Sequence, residues 1–242
     1  MAAANILNVA HRGGADHAPE NTFAAFDNAP SLGTTWVESD LRCSSDGEIV
    51  LLHDSSVDRT TDGTGDVAQL SVAELKALDA GSWFDARYSG ERIPTLAEFF
   101  ARYRGRLQSM LEIKAPEHVE ERLVELIAAG DHYDETVIIG SNRNALVQVK
   151  SLDARIEVGW TAFEPSAQNV ELALDMGCHH IGIKPSNLTI DIVAQINSRG
   201  LAVRATCVHG MAEIEHVVSC GVMGMTIDSP VQLVAHLASL EG

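Results

Sequence analysis

Short apolar runs alternate with helix-period stretches along almost the whole chain. The runs fall at Ile6–Ala10, Trp36–Leu41, Ser109–Lys114, Val137–Ser141, Glu157–Thr161, His180–Lys184, Ala202–Thr206 and Met223–Ile227. Between them lie amphipathic stretches at Glu117–Ala129, Ala167–Met176, Ile190–Ser198, Met211–Ser219 and Val231–Leu240. Strands alternating with helices of this length indicate parallel βαβ units. Eight units in 242 residues predict an α/β fold closed as a (β/α)8 TIM barrel, an architecture of about 250 residues. A doubly wound open sheet is the alternative, and the lack of a glycine-rich fingerprint after the first run counts against it.

Two segments break the rhythm. Ser44-Ser45-Asp46-Gly47 is a turn signal followed by another strand-like run, Glu48–His53, which predicts a hairpin on the second strand. Residues 55–94 are too long for an ordinary connection. They contain a helix start at Ser71-x-x-Glu74, and the same capping pattern at Thr95-x-x-Glu98 reopens the barrel helix. Residues 1–242 therefore read as one barrel domain with a small cap inserted at about 55–94.

Charge narrows the partners. Seventeen Lys and Arg against thirty-four Asp and Glu give a net charge of −17, which repels a polyanion and argues against nucleic acid. A small anionic substrate then needs local positive charge or a bound cation. The N-terminal residues lack the basic and apolar regions of a secretion signal, and no apolar run approaches the ~20 residues of a membrane span. Cys43, Cys178, Cys207 and Cys220 show no metal-binding or disulfide spacing. These features predict reduced thiols, a cytoplasmic location and no stable membrane insertion.

In a (β/α)8 barrel the reactive groups sit at the C-terminal ends of the strands. The first strand ends in His11-Arg12-Gly13, the second carries Glu38 and Asp40, and the third carries Glu112 and Lys114. Residues two apart on a strand share a face, so each pair points one way. Three converging carboxylates repel one another unless a cation lies between them. All-oxygen ligation suits one hard divalent ion, Mg²⁺ or Ca²⁺, with Mn²⁺ a third candidate, rather than zinc. The alternative is that these carboxylates are solvated or salt-bridged. Folding the hairpin about Asp46 puts His53 opposite Ser39, on the rim that holds His11. Two imidazoles there suit general acid–base work near neutral pH. Arg12 offers a bidentate fork for phosphate oxygens and Lys114 a point charge.

These residues resemble a known family. His11-Arg12-Gly13, Pro19-Glu20-Asn21-Thr22, Glu38-x-Asp40, Asp46-Gly47 leading to His53-Asp54, Asp58-Arg59-Thr60-Thr61 with Gly63 and Gly65, and Glu112-Ile113-Lys114 are similar to the ordered signature of the glycerophosphodiester phosphodiesterases. The match is dense over 11–114 and thins beyond 140. The resemblance implies a divalent metal and hydrolysis of glycerophosphodiesters to an alcohol and sn-glycerol 3-phosphate. It implies Glu38, Asp40 and Glu112 as metal ligands, His11 and His53 as the acid–base pair, and Arg12 and Lys114 as phosphate contacts. His11 is assigned as base and His53 as acid, with the order open at this level. The nucleophile, water or a neighbouring glycerol hydroxyl, is equally open. Glu20 is expected near the metal, Asn21 as the cap of the following helix, and Asp54 and Arg59 as support for the His53 loop.

The second half departs from the family pattern. Where an aromatic residue and Thr are usual there is Arg204-Ala205-Thr206, and Ser141-Asn142 stands where Ser-Phe is common. Arg204, Lys184 and Arg143 add positive charge there. Either each pairs with a local carboxylate, or the substrate carries polar or anionic groups beyond the phosphodiester, with Arg204 a substrate contact. Two rival functions remain: a lyase of the same broad barrel group that leaves a cyclic phosphate, and a non-catalytic barrel binding phosphorylated ligands. The presence of both histidines argues against the latter.

Overall fold

The computed structural model describes residues 6–114 and 119–241. Its elements run β1 (Leu7–Ala10), α1 (Phe23–Asn28), β2 (Trp36–Cys43), β3 (Ile49–Leu51), α2 (Val72–Ala77), α3 (Leu96–Tyr103), β4 (Gln108–Ile113), α4 (Glu120–Gly130), β5 (Thr136–Gly140), α5 (Arg143–Leu152), β6 (Glu157–Phe163), α6 (Ala167–Asp175), β7 (His180–Ile183), α7 (Ile190–Asn197), β8 (Ala202–Val208), α8 (Gly210–Cys220), β9 (Gly224–Ile227) and α9 (Pro230–Glu241). Eight strands form a parallel sheet in the order β1-β9-β8-β7-β6-β5-β4-β2, and pairing of β1 with β2 closes it. The closed (β/α)8 barrel excludes the open sheet. The expected helix start at Glu117 lies outside the described residues, as does the N-terminal segment 1–5.

Polar side chains set the helix starts. Thr22, Ser71, Thr95, Asn142, Ser166 and Thr189 each accept a backbone N–H from the first turn that follows. Both expected capping boxes form, at Ser71/Glu74 and Thr95/Glu98. The cap before α1 differs from expectation: Thr22 supplies it, and Asn21 turns elsewhere. The hairpin pairs Leu41 with Leu51, and Leu52 N–H donates to the Asp40 carbonyl. Continuing that register sets His53 opposite Ser39.

Alternation along the strands divides the interior. Val37, Leu41, Leu111 and Ile113 face the helices in the main core. Val9, Met110, Val137 and Ile139 fill part of the barrel lumen, flanked by Leu7 and Trp36. The other side of the lumen is polar, with Arg204 donating to His180, Thr161 and Thr226. Glycines make room for it. A Cβ on Gly159 would lie 2.2 Å from the His180 ring, and one on Gly182 would lie 3.0 Å from the Arg204 guanidinium.

The segment between β3 and α3 has its own small core of Val57, Val67, Leu75, Ala80 and Ile93 against Val50 and Leu52. It docks beside the loop after β1, where the Tyr88 hydroxyl donates to the His17 carbonyl and Arg59 grips Glu20.

Candidate active site

The first strand ends in a turn that few sequences adopt. Arg12, Gly13 and Gly14 all have positive φ, and a Cβ on Gly13 would meet Ala25 at 2.7 Å. For Arg12 this left-handed backbone is strained, and strain of that kind persists where surrounding contacts enforce it. Here the Arg12 N–H donates to Glu38 Oε2 at 3.0 Å. The turn thus ties the first strand end to the second.

Glu38, Asp40 and Glu112 come together, each offering an oxygen within 4.8 Å of the others. Glu38 is 1% and Asp40 0% exposed, so water does not screen them. Burial raises the Glu38 pKa to about 7, with Asp40 and Glu112 adding to it against His11 and the Arg12 N–H. For Asp40, burial is outweighed by Lys114, Arg12 and the Asn21 hydrogen bond, and its pKa is lowered. Lys114 Nζ lies 2.9 Å from Glu112 and 3.3 Å from Asp40, and Arg12 Nε lies 3.4 Å from Asp40. Asn21, at φ 57°, donates to Asp40 Oδ2 at 2.9 Å and accepts from Ser39 Oγ at 2.7 Å. Short polar side chains tolerate that backbone conformation, and here it aims the amide at Asp40.

A divalent cation fits this set. Buried polar atoms are nearly always hydrogen-bonded. Among the described residues, Glu38 Oε1 is buried without a hydrogen bond; Asp40 Oδ1 is likewise buried and makes none, though Lys114 Nζ lies 3.3 Å from it, and both residues belong to the carboxylate group. All the donors are hard oxygens, as Mg²⁺, Mn²⁺ or Ca²⁺ require.

Each histidine is held from behind. His11 Nδ1 lies 2.5 Å from Asp228 Oδ1, and His53 Nδ1 lies 2.7 Å from Asp54 Oδ1. An ionised carboxylate only accepts, so Nδ1 carries the proton in both rings and Nε2 makes no hydrogen bond among the described residues, with His11 Nε2 3.9 Å from Glu38 Oε2. Both rings line the same cavity, of about 100 Å³, with Arg12, Glu38, Glu112 and Lys114. Burial lowers the His11 pKa, but the Asp228 hydrogen bond and the Glu38 charge more than offset it, so the pKa is raised. Arg42 donates twice to the His53 carbonyl, at 3.1 and 2.7 Å. Arg59 joins Asp54, at 2.6 Å, to Glu20.

Sequence reasoning missed Asp228. Gly224, Thr226 and Asp228 share one face at the end of the last strand, so the strand-end search extended to β9 would have found it. Glu20 is not one of the three clustered carboxylates; it binds Arg59 and Arg12, whose Nε lies 3.4 Å from Asp40, and so sits one side chain behind the group. Arg204 lines the cavity floor but is only 1% exposed, and it bonds to Thr226, Thr161 and His180. No ion pair forms between a carboxylate and Arg204, Arg143 or Lys184 among the described residues; Arg143 lies over Trp160 and Lys184 over Phe163. Thr206 and Cys207 also border the cavity. His179 is exposed beside Glu157 at the far end of the barrel, and its neighbour His180 is buried.

Known proteins share this architecture. A glycerophosphodiester phosphodiesterase of Caldanaerobacter subterraneus is 31% identical over 233 residues, covering 94% of this chain and 96% of its own. The structure of a phosphodiesterase of Oleispira antarctica in complex with the product sn-glycerol 3-phosphate superposes with a TM-score of 0.87 at 30% identity, covering 95% of this chain and 96% of that one. A glycerophosphodiester phosphodiesterase of Agrobacterium tumefaciens gives a TM-score of 0.84 at 28% identity, covering 95% of this chain and 99% of its own. The sequence profile of the glycerophosphoryl diester phosphodiesterase family matches residues 11–232, and this chain belongs to that family.

Proposed function

We propose that this chain is a metal-dependent hydrolase of glycerophosphodiesters, releasing an alcohol and sn-glycerol 3-phosphate. The observation that carries this reading is the pair of imidazoles, each backed by a carboxylate, lining one cavity with Glu38 and Glu112 of the three-carboxylate group. Glu38, Asp40 and Glu112 would hold one divalent cation, Mg²⁺ or Ca²⁺, with Mn²⁺ a third candidate. Bound there, the cation would act as a Lewis acid toward the phosphoryl group.

Arg12 and Lys114 would contact the non-bridging oxygens, and Arg204 would add positive charge from the floor of the cavity. This local capture is what a chain of net charge −17 needs for an anionic substrate. His11, with its Nε2 free, takes a proton from the nucleophile. His53 in its protonated form delivers one to the departing alkoxide, again through Nε2. Asp228 stabilises the imidazolium that forms on His11, and Asp54 orients His53. The substrate is a small molecule in this reading. A cytoplasmic setting accords with the thiols of Cys178, Cys207 and Cys220, and among the described residues no helix is long and apolar enough to cross a membrane.

The test is release of sn-glycerol 3-phosphate from glycerophosphocholine and glycerophosphoethanolamine, after EDTA and after restoring Mg²⁺, Mn²⁺ or Ca²⁺. Activity should vanish with the chelator, return with a cation, and be absent in His11→Ala. No turnover of either diester by folded protein under any cation would sink the proposal.

A further inference from the structure

Arg204 is a buried guanidinium on β8, with no carboxylate ion-paired to it among the described residues. Burying an unpaired charge is costly, so such a group is retained where something nearby needs it. Its hydrogen bonds go to neutral partners, the hydroxyls of Thr226 and Thr161 and the His180 ring. Burial and Arg204 push the His180 pKa down to about 3, so that ring accepts as a neutral base. The barrel is shaped around the pair, since Gly159 and Gly182 leave the space that His180 and Arg204 fill. The sheet order sets β8 across the lumen from β4 and β2, the strands bearing Glu112 and Glu38. Arg204, Glu38 and Glu112 line the same cavity; burial lowers the Arg204 pKa, and those two carboxylates oppose that lowering most.

Arg12, which also pairs with Glu20, and Lys114 already lie against Asp40 and Glu112, and Arg204 adds a third cation to the site. We propose that Arg204 is a built-in counter-cation of the carboxylate group, which holds that group together without metal and keeps its affinity for a divalent ion low. The inference rests on the reading of Glu38, Asp40 and Glu112 as the ion's ligands. A weakly held ion exchanges readily, and the positive charge remaining once it binds favours an anionic diester.

Calorimetric titration of EDTA-stripped protein with Mn²⁺ and with Mg²⁺ at pH 8 tests it, comparing wild type, Arg204→Met and Arg204→Lys. Removing one positive charge across the lumen, at an effective dielectric near ~20, should tighten the ion by about tenfold or more. Arg204→Lys keeps the charge and should stay within about threefold of wild type on the same basis. Equal or weaker binding by folded Arg204→Met overturns the proposal. Failure of Arg204→Met to fold with and without Mn²⁺ also overturns it, because Arg204 would then serve packing alone. Folding only when Mn²⁺ is present supports it. No ion binding by the wild type would instead overturn the underlying reading of the three carboxylates.

Discussion

Replacing Asp228 with asparagine keeps its shape and removes one negative charge from behind His11. The carboxylate lies 2.5 Å from His11 Nδ1, and its other oxygen is 3.6 Å from His209 Nδ1. The side chains of His11 and Asp228 are 20% and 25% exposed, so solvent screens the pair only in part. A hydrogen bond to a charged group contributes about 1.5–3 kcal/mol, and the asparagine oxygen still accepts from Nδ1. What is lost is the charge-assisted share, largest when His11 becomes an imidazolium. Losing that share, ~1–1.5 kcal/mol, at that stage lowers kcat about five- to tenfold. Asp228 does not line the cavity, so KM should change little. The Asp228 hydrogen bond and Glu38 hold the His11 pKa up against burial, so Asp228→Asn lowers it. With His11 as base, the acidic limb of the kcat/KM profile moves to lower pH. Steady-state rates of sn-glycerol 3-phosphate release across pH 5–9 (the ~5–9 window in which histidines titrate) measure both effects. An unchanged kcat with an unshifted acidic limb would refute the reasoning.

Other perturbations test the ion site and the packing. In ion-free protein the folded-state pKa of Glu38 is raised from 4.5 to about 7. Its contribution to stability is therefore full below the unfolded value and lost as pH rises through 7. That loss is roughly 3 kcal/mol at about 1.4 kcal/mol per unit. Thermal melts in EDTA should fall from pH 5 to pH 8 (about the span of that shift) more steeply for wild type than for Glu38→Gln, and Mg²⁺ should flatten the wild-type curve; parallel curves in EDTA would contradict this. Gly159→Ala sets a Cβ against the buried His180 ring and should cost about 1–3 kcal/mol by overpacking. Chemical denaturation reads that cost, and an unchanged midpoint would mean the lumen yields freely. Thr95→Ala removes half of a capping box at α3 and should cost about 1 kcal/mol, seen as a melting temperature ~2–4 °C lower.

Much of the barrel was legible because its cause is local. A short apolar run such as Glu157–Thr161 or His180–Lys184, followed by a 3.6-residue period at Ala167–Met176 or Ile190–Ser198, specifies a strand and then a helix wherever the chain meets them. The capping boxes at Ser71 and Thr95 involve neighbours three residues apart, so they too can be read directly. The turn at Asp46-Gly47 sets the hairpin register, and with it the place of His53 on the rim. Glu38 and Asp40 could be paired from spacing alone, since alternation on a strand fixes their common face.

Contacts between distant segments could not be read in that way. Asn21 looked like a helix cap because cap preference is local; Asp40, nineteen residues away, claims its amide, and Thr22 caps instead. Asp228 meets His11 across 217 residues, and only the seam between β9 and β1 brings them together. Arg204 read as a charge in want of a carboxylate or a substrate; closure of the barrel gave it neutral partners and set it across the lumen from Glu38 and Glu112. Sequence determined which residues share a face, because that follows from backbone periodicity. Tertiary structure decided which faces meet, because burial lets charges act across the barrel without the screening of water.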